Sequence, residues 1–139
     1  MSQHISAISL LVPDYDAGIA FYVGKLGFAL IEDKPLGPVK RWVLVAPPGS
    51  SGTRLLLAKA EGPAQTARVG DQTGGRVFLF LNTDDFARDH AAMVARGVAF
   101  LEAPRAEPYG TVAVFRDPFG NTWDLIGPPS SAARDGTAA

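Results

Sequence analysis

The chain contains no cysteine, which excludes disulfides, thiolate metal ligands and a cysteine nucleophile. It has no apolar run approaching the ~20 residues that a membrane-spanning helix needs. Its 13 basic and 14 acidic residues give a formal net charge of −1, which predicts no binding to nucleic acid or to an anionic membrane. The first residues lack a basic segment followed by a long apolar one, so we expect no signal peptide and a cytoplasmic protein.

The composition that remains is typical of a globular protein. Of the 139 residues, 47% are apolar and 19% are charged, which suits one domain with a buried core. We therefore predict a single domain over residues 1–139. Residues 128–139 are small, polar and led by proline, and we expect them to form a disordered tail.

An internal repeat organises the chain. Residues 27–32 read GFALIE and residues 97–102 read GVAFLE, 70 positions later. A short apolar strand is predicted before each run, at 6–12 and 76–81, followed by an acidic helix cap and apolar residues at helical spacing. The glycine that opens each run stands where a left-handed helix C-cap would fall.

Each half is predicted to close with a hairpin around a turn-rich segment. The paired strands are 41–46 with 54–58, and 111–116 with 122–126. The result is an α+β protein made of two βαβββ modules. Module one covers about 5–60, a polar linker covers 61–75, and module two covers 76–127.

Two motifs carry a family resemblance. The first is V-P-D at 12–14 with A-F-Y at 20–22 and L-G-F at 26–28, and the second is D-P-F-G-N-T-W-D-L at 117–125. They resemble the opening and closing motifs of the glyoxalase/bleomycin-resistance/extradiol-dioxygenase (vicinal oxygen chelate) superfamily. That resemblance implies U-shaped mixed sheets with helices on the convex side, a concave pocket for a small molecule, and a homodimer. It does not imply one reaction, because fold and function are separable.

The resemblance also implies where metal ligands would stand. The aligned positions are Ala7, Leu56, Arg76 and Asp124. Only Asp124 can bind a divalent cation, so we predict no metal cofactor, and a divalent metal only if this register is misread. The two histidines do not compensate. His4 has the wrong strand parity, and His90 is expected on a helix on the convex side, at its surface or half-buried.

Period-2 alternation with the aligned positions set concave predicts the residues of the pocket. The candidate ligand-binding residues are Arg76, Asp124, Ser9, Phe78, Phe80 and Tyr109. Arg76 and Asp124 are expected within hydrogen-bond reach, roughly 2.7–3.2 Å, or bridged by one water or ligand. They form either an ion pair alone or a pair that leaves guanidinium donors for a ligand. Phe78 and Phe80 either stack on a ligand or fill space, and Tyr109 either closes over a ligand or packs at a dimer contact.

Several functions remain open at this point. The leading hypothesis is a metal-free member of the superfamily that binds a small organic molecule, with catalysis unproven. The alternatives are a metal-dependent lyase or dioxygenase of the glyoxalase type, and a drug- or toxin-sequestering resistance protein. A third is a metal-free enzyme with Asp124 as general base and Arg76 stabilising an enolate. The sequence does not name the ligand.

Overall fold

The computed structural model describes residues 1–129. Within it the chain divides into two compact units, one from Met1 to Gln72 and one that begins at Thr73. The organisation into a single domain stays a prediction. Most of the predicted disordered tail, residues 130–139, lies outside the described residues. None of the helices described within residues 1–129 is both long enough and apolar enough to span a membrane.

The first unit contains a four-stranded sheet. Its elements are β1 (Ala7–Val12), α1 (Tyr15–Ile19) continued by a π-helical segment (Ala20–Lys25), β2 (Ala29–Pro35), β3 (Arg41–Ala46), β4 (Arg54–Lys59) and α2 (Gly62–Thr66). The strand order is β1-β4-β3-β2, with β1 parallel to β4 and the other pairs antiparallel. Helix α2 lies inside the predicted polar linker, so that segment has regular structure of its own.

The second unit repeats this arrangement with changes. Its elements are β5 (Leu79–Asn82), α3 (Phe86–Ala95), β6 (Ala99–Phe100), β7 (Arg105–Glu107), β8 (Gly110–Arg116) and β9 (Thr122–Gly127). The strand order is β5-β9-β8-β6, and β7 also pairs with β8. The predicted α+β class with two βαβββ modules is confirmed. The second predicted strand of module two, residues 97–102, is shortened to β6, and β7 is an additional short strand that was not predicted.

The predicted caps define both principal helices. The Asp14 side chain accepts a hydrogen bond from the Ala17 amide at 2.8 Å, and the Asp85 side chain accepts one from the Arg88 amide at 3.0 Å. Gly27 has φ +87° and Gly97 has φ +88°, the left-handed conformation that lets the chain leave a helix without a Cβ clash. The two glycines of the repeat therefore occupy the same topological position.

Burial alternates along the strands as predicted. In β1 Leu10 and Val12 are buried, and in β9 Trp123 and Leu125 are buried. These side chains lie on the face that packs against the helix of their own unit. A Cβ added at Gly18 of α1, for example, would lie 3.1 Å from Val12. We call the opposite face of each sheet its open face.

The turn before β9 is held by one buried carboxylate. Asp117 is 2% exposed, and its Oδ1 atom accepts hydrogen bonds from the amides of Phe119, Gly120 and Asn121, each at 2.9 Å. Its Oδ2 atom accepts from the Asn121 side-chain amide at 2.7 Å. This turn fixes the start of β9.

The Gln72 side chain hydrogen-bonds to the backbone at the outer edge of β1. The Leu11 amide donates to Gln72 Oε1 at 2.8 Å, and Gln72 Nε2 donates to the Ser9 carbonyl at 3.2 Å. The side-chain amide thus replaces one residue of a neighbouring strand on an edge that would otherwise be free to pair.

Candidate functional site

Three residues form a row across the open face of the second sheet. Asp124 of β9 pairs with Phe80 of β5 on one side and with Val114 of β8 on the other. Cross-strand partners share a face, and the buried neighbours Trp123 and Leu125 point the other way. Phe80 is 63% exposed although it is a large apolar side chain.

Asp124 is the unusual residue of this row. Its side chain is half-buried, and its Oδ1 atom is buried yet accepts no hydrogen bond from the described residues. Desolvation by burial raises the pKa of Asp124 above its ordinary value, an effect that the charge of Arg105 opposes and that of Glu102 reinforces. A carboxylate in this state is ready to accept a hydrogen bond from a bound molecule.

Arg105 is the cation whose charge lowers the pKa of Asp124. It lies on β7 and pairs with Val112, which places it on the open face beside the row of Asp124. Its Nε contacts Glu102 Oε1 at 3.1 Å and its Nη1 contacts Glu107 Oε1 at 3.0 Å. Although desolvation opposes it, the charge of Glu102, a hydrogen bond with Tyr109 and the charge of Glu107 raise the pKa of Arg105.

We call this set of side chains the Asp124 cluster. Its members are Phe80, Glu102, Arg105, Glu107, Tyr109 and Asp124. The cluster brings three carboxylates to one guanidinium, and two of the carboxylates are already engaged by it. Tyr109 lies in the turn between β7 and β8 and is 62% exposed.

The predicted direct ion pair between Arg76 and Asp124 is wrong, and a contact bridged by one water or ligand stays a prediction. Arg76 is exposed and precedes β5 by three residues, and none of the ion pairs within residues 1–129 involves it. Its backbone carbonyl instead accepts a hydrogen bond from Thr73 Oγ1 at 2.6 Å. The physical reason is register, because the residue beside Asp124 is Phe80, four positions further along the chain. A ligand-binding role for Arg76 stays a prediction.

The corrected register changes one of the four aligned positions. In the first unit, Ala7 stands two residues before Ser9, and Ser9 is the partner of Leu56. In the second unit, Phe78 stands two residues before Phe80, the partner of Asp124. Phe78 therefore replaces Arg76 as the counterpart of Ala7, and a phenyl ring is no better a metal ligand than a guanidinium.

The open face of the first sheet carries the other predicted pocket residue. Ser9 is exposed there, and its row continues through Leu56 of β4 to Leu44 of β3. Leu56 thus has the place in its unit that Asp124 has in the second. The predicted ligand-binding roles of Ser9 and Phe78 stay predictions.

The residues around Asp124 do not fit a divalent cation. Within the described residues, no three His, Cys, Asp or Glu side chains are grouped so that they could hold a metal ion. In the Asp124 cluster a guanidinium takes the place between carboxylates that a cation would need. His90 lies on α3 between aromatic rings, stacked on Phe86 at 5.3 Å and tilted against Phe100 at 4.4 Å between centroids. That no metal cofactor is needed stays a prediction.

Arg105, Glu102 and Glu107 are site residues that sequence reasoning missed. The segment from Arg105 to Tyr109 has charged or polar side chains at every second position, separated by Ala106 and Pro108. This alternation is the pattern of a strand with one polar face, and it could have identified β7. Two prolines within five residues made the segment resemble a loop instead.

Comparison with known proteins places this geometry in a family. The family model described as the glyoxalase/bleomycin resistance protein/dioxygenase superfamily matches residues 4–125. The chain belongs to this superfamily. A protein of Shewanella frigidimarina is 56% identical over 127 residues, 91% of this chain and 94% of that protein.

Two solved structures match this chain over nearly their whole length. UcmS2 is 28% identical, with a TM-score of 0.78 over 91% of this chain and 98% of that one. TnmS3, described as an antibiotic binding protein from Streptomyces sp. CB03234, is 36% identical, with a TM-score of 0.73 over 91% of this chain and 97% of that one. The family resemblance carried by the two sequence motifs is thereby confirmed.

Proposed function

We propose that this chain binds a small organic molecule on the open face of its second sheet, without a metal. One observation carries the proposal: Asp124 has a buried carboxylate oxygen that accepts no hydrogen bond from residues 1–129, directly beside the exposed ring of Phe80. An unsatisfied buried acceptor and an exposed aromatic side chain both cost free energy in the free protein. A ligand that covers the ring and donates to the carboxylate relieves both costs.

The relatives favour sequestration over catalysis. TnmS3, which covers 91% of this chain at 36% identity, is described as an antibiotic binding protein. The Asp124 cluster offers contact groups, while the donor set needed for metal-dependent lyase or dioxygenase chemistry is not assembled in the described residues. We therefore propose a drug- or toxin-sequestering protein. The homodimer and the cytoplasmic location stay predictions.

The test is a thermal-shift screen of the full chain against natural-product antibiotics and aromatic metabolites. A hit should raise the Tm of the unmodified protein, and Phe80→Ala should reduce its affinity at least about tenfold, the effect of losing one well-buried aromatic contact. Val94→Ala is the matched control, because Val94 is an exposed apolar residue on α3 in the same unit. That variant should bind like the unmodified chain.

Elemental analysis of the same protein, purified with added Zn, Ni, Mn and Fe, tests the metal-dependent alternative. About one tightly held metal per chain would contradict the proposal. So would a hit whose affinity is unchanged by Phe80→Ala but lowered by Val94→Ala.

A further inference from the structure

We propose that the Asp124 cluster selects aromatic ligands that bring an O–H or N–H donor and carry no negative charge. This inference rests on the proposed function and deepens it by naming the chemical class of the ligand. It is carried by the arrangement of the charged groups around Asp124, each of which restricts what can bind.

The donor requirement follows from Asp124 Oδ1. This atom is buried and accepts no hydrogen bond from the described residues. A ligand that covers it without supplying a donor removes the remaining water and leaves the acceptor unsatisfied. A ligand with a hydroxyl or an N–H group at that point supplies the missing partner, and a hydrogen bond to an ionised acceptor is among the stronger kinds.

The rejection of anions follows from the position of Arg105. An arginine in a binding site is normally a receptor for carboxylate or phosphate. Here two of the three guanidinium nitrogens already contact carboxylates, Nε with Glu102 at 3.1 Å and Nη1 with Glu107 at 3.0 Å, so two negative charges oppose the one positive charge. The cluster keeps the formal charge of three carboxylates against one cation, so an anionic ligand beside Asp124 meets net repulsion at short range.

The aromatic preference follows from Phe80. Its ring is 63% exposed on the same face as Asp124 and is the direct cross-strand neighbour of that residue. A flat ligand ring can stack on it while its polar substituent reaches the carboxylate. One molecule can then satisfy both groups at once.

Three naphthalenes of nearly equal shape test the inference. 2-Naphthol is uncharged and has a donor, 2-methoxynaphthalene has no donor, and 2-naphthoate is an anion at neutral pH. Each is titrated into 15N-labelled full-length chain at pH 7 up to about 1 mM, and Kd is taken from the shifts of backbone amides in β5 and β9. We expect 2-naphthol to bind about tenfold more tightly than the methyl ether, and 2-naphthoate at least about tenfold more weakly than 2-naphthol.

Two variants separate the donor requirement from the charge requirement. Asp124→Leu introduces the residue type found at the equivalent place in the first unit, Leu56. In this variant 2-naphthol and its ether should bind with about equal affinity. Asp124→Asn keeps an acceptor oxygen but removes the charge. This variant should retain the preference for 2-naphthol over the ether. It should also reduce the ratio between the Kd values of 2-naphthoate and 2-naphthol.

The possible failures are distinguishable. If 2-naphthoate binds as tightly as 2-naphthol, or if Asp124→Leu keeps the preference for the donor, the inference on ligand class is overturned and the proposed function stands. If none of the three binds and the thermal-shift screen gives no hit, the proposed function falls and the inference falls with it. A shift confined to residues of the first unit would overturn the assignment of the site.

Discussion

The two units share one strand plan but carry different side chains on their open faces. In the first, the row across the sheet reads Ser9, Leu56 and Leu44, and in the second the equivalent row begins with Phe80 and Asp124. A leucine on this face costs nothing to desolvate, whereas a carboxylate does. The proposed binding role of Asp124 would account for a costly charge at only one of two equivalent positions.

The strands that support these faces also differ. Strand β8 begins at Gly110, with φ +154°, and a Cβ there would lie 2.1 Å from the Gly127 carbonyl oxygen. The position 70 residues earlier is Lys40, so the first unit has no such constraint. In the second unit the backbones of β8 and β9 approach so closely that only glycine fits.

The largest expected effect is therefore that of Gly110→Ala. The methyl group must displace backbone at the end of the β8–β9 pair, and we expect a loss of at least about 3 kcal/mol in the free energy of unfolding. Gly37→Ala is the matched control, since Gly37 has φ +146° with nothing within 4 Å of an added Cβ. It should cost only the backbone strain, about 1 kcal/mol. If urea titration shows that both variants lose the same free energy of unfolding, the close approach of β8 and β9 at Gly110 does not contribute to stability.

The second prediction contrasts the turns that precede the last strands. Asp117→Ala removes four hydrogen bonds that a buried carboxylate accepts. We expect about 2–3 kcal/mol of destabilisation, because two part-buried amides and the buried Asn121 lose their acceptor. In the first unit, Ser50→Ala removes one exposed hydrogen bond, from the Gly52 amide at 3.0 Å, and should cost less than about 1 kcal/mol. Denaturant titration of both variants decides whether the second turn is the more constrained one.

The smallest expected effect concerns the free-energy cost of partly burying the charged carboxylate of Asp124. Burial raises the pKa of Asp124 above the ordinary value of an aspartate, so the folded protein holds this proton more tightly than the unfolded chain does. Stability is then lost as pH rises through the folded pKa, and the cost is fully present above it. Asp124→Asn should stabilise the ligand-free protein at pH 7 by up to about 1 kcal/mol.

The same variant should lose its advantage in acid. Below the unfolded pKa, Asp124 is protonated in both states and resembles asparagine, so the difference in urea midpoint between variant and unmodified chain should disappear. Leu56→Asn is the control in the first unit, and its effect on stability should not depend on pH. If Asp124→Asn stabilises the protein equally at pH 7 and below the unfolded pKa of the aspartate, the ionised carboxylate is not the source of the cost.

Local patterns predicted much of this fold. Alternation placed Leu10, Val12, Trp123 and Leu125 on the buried faces, and the two glycines of the repeat marked the helix ends. These features depend on neighbouring residues, whose periodicity is set by backbone geometry. The hairpin strands before and after each closing turn were also predicted within a few residues of their ends.

Register across the sheet could not be predicted in the same way. The position of Arg76 relative to Asp124 depends on how a strand pairs with another more than forty residues away, and the predicted strand started three residues too early. The Asp124 cluster depends on the short strand β7, whose pairing with β8 brings Arg105 to the open face. The alternation from Arg105 to Tyr109 indicates a short strand, but only its pairing with β8 shows which face of the sheet Arg105 occupies.

The contact of Gln72 with β1 has a consequence for the order of folding. It joins residues 61 and 63 positions apart, so the last residue of the first unit closes a loop over nearly the whole of that unit. During synthesis, β1 leaves the ribosome long before Gln72 does, and contacts of such long sequence separation form late. Until that amide arrives, the Ser9 carbonyl and the Leu11 amide are open to pairing with another nascent chain. The first unit is therefore most exposed to misassembly while its final residues are being made.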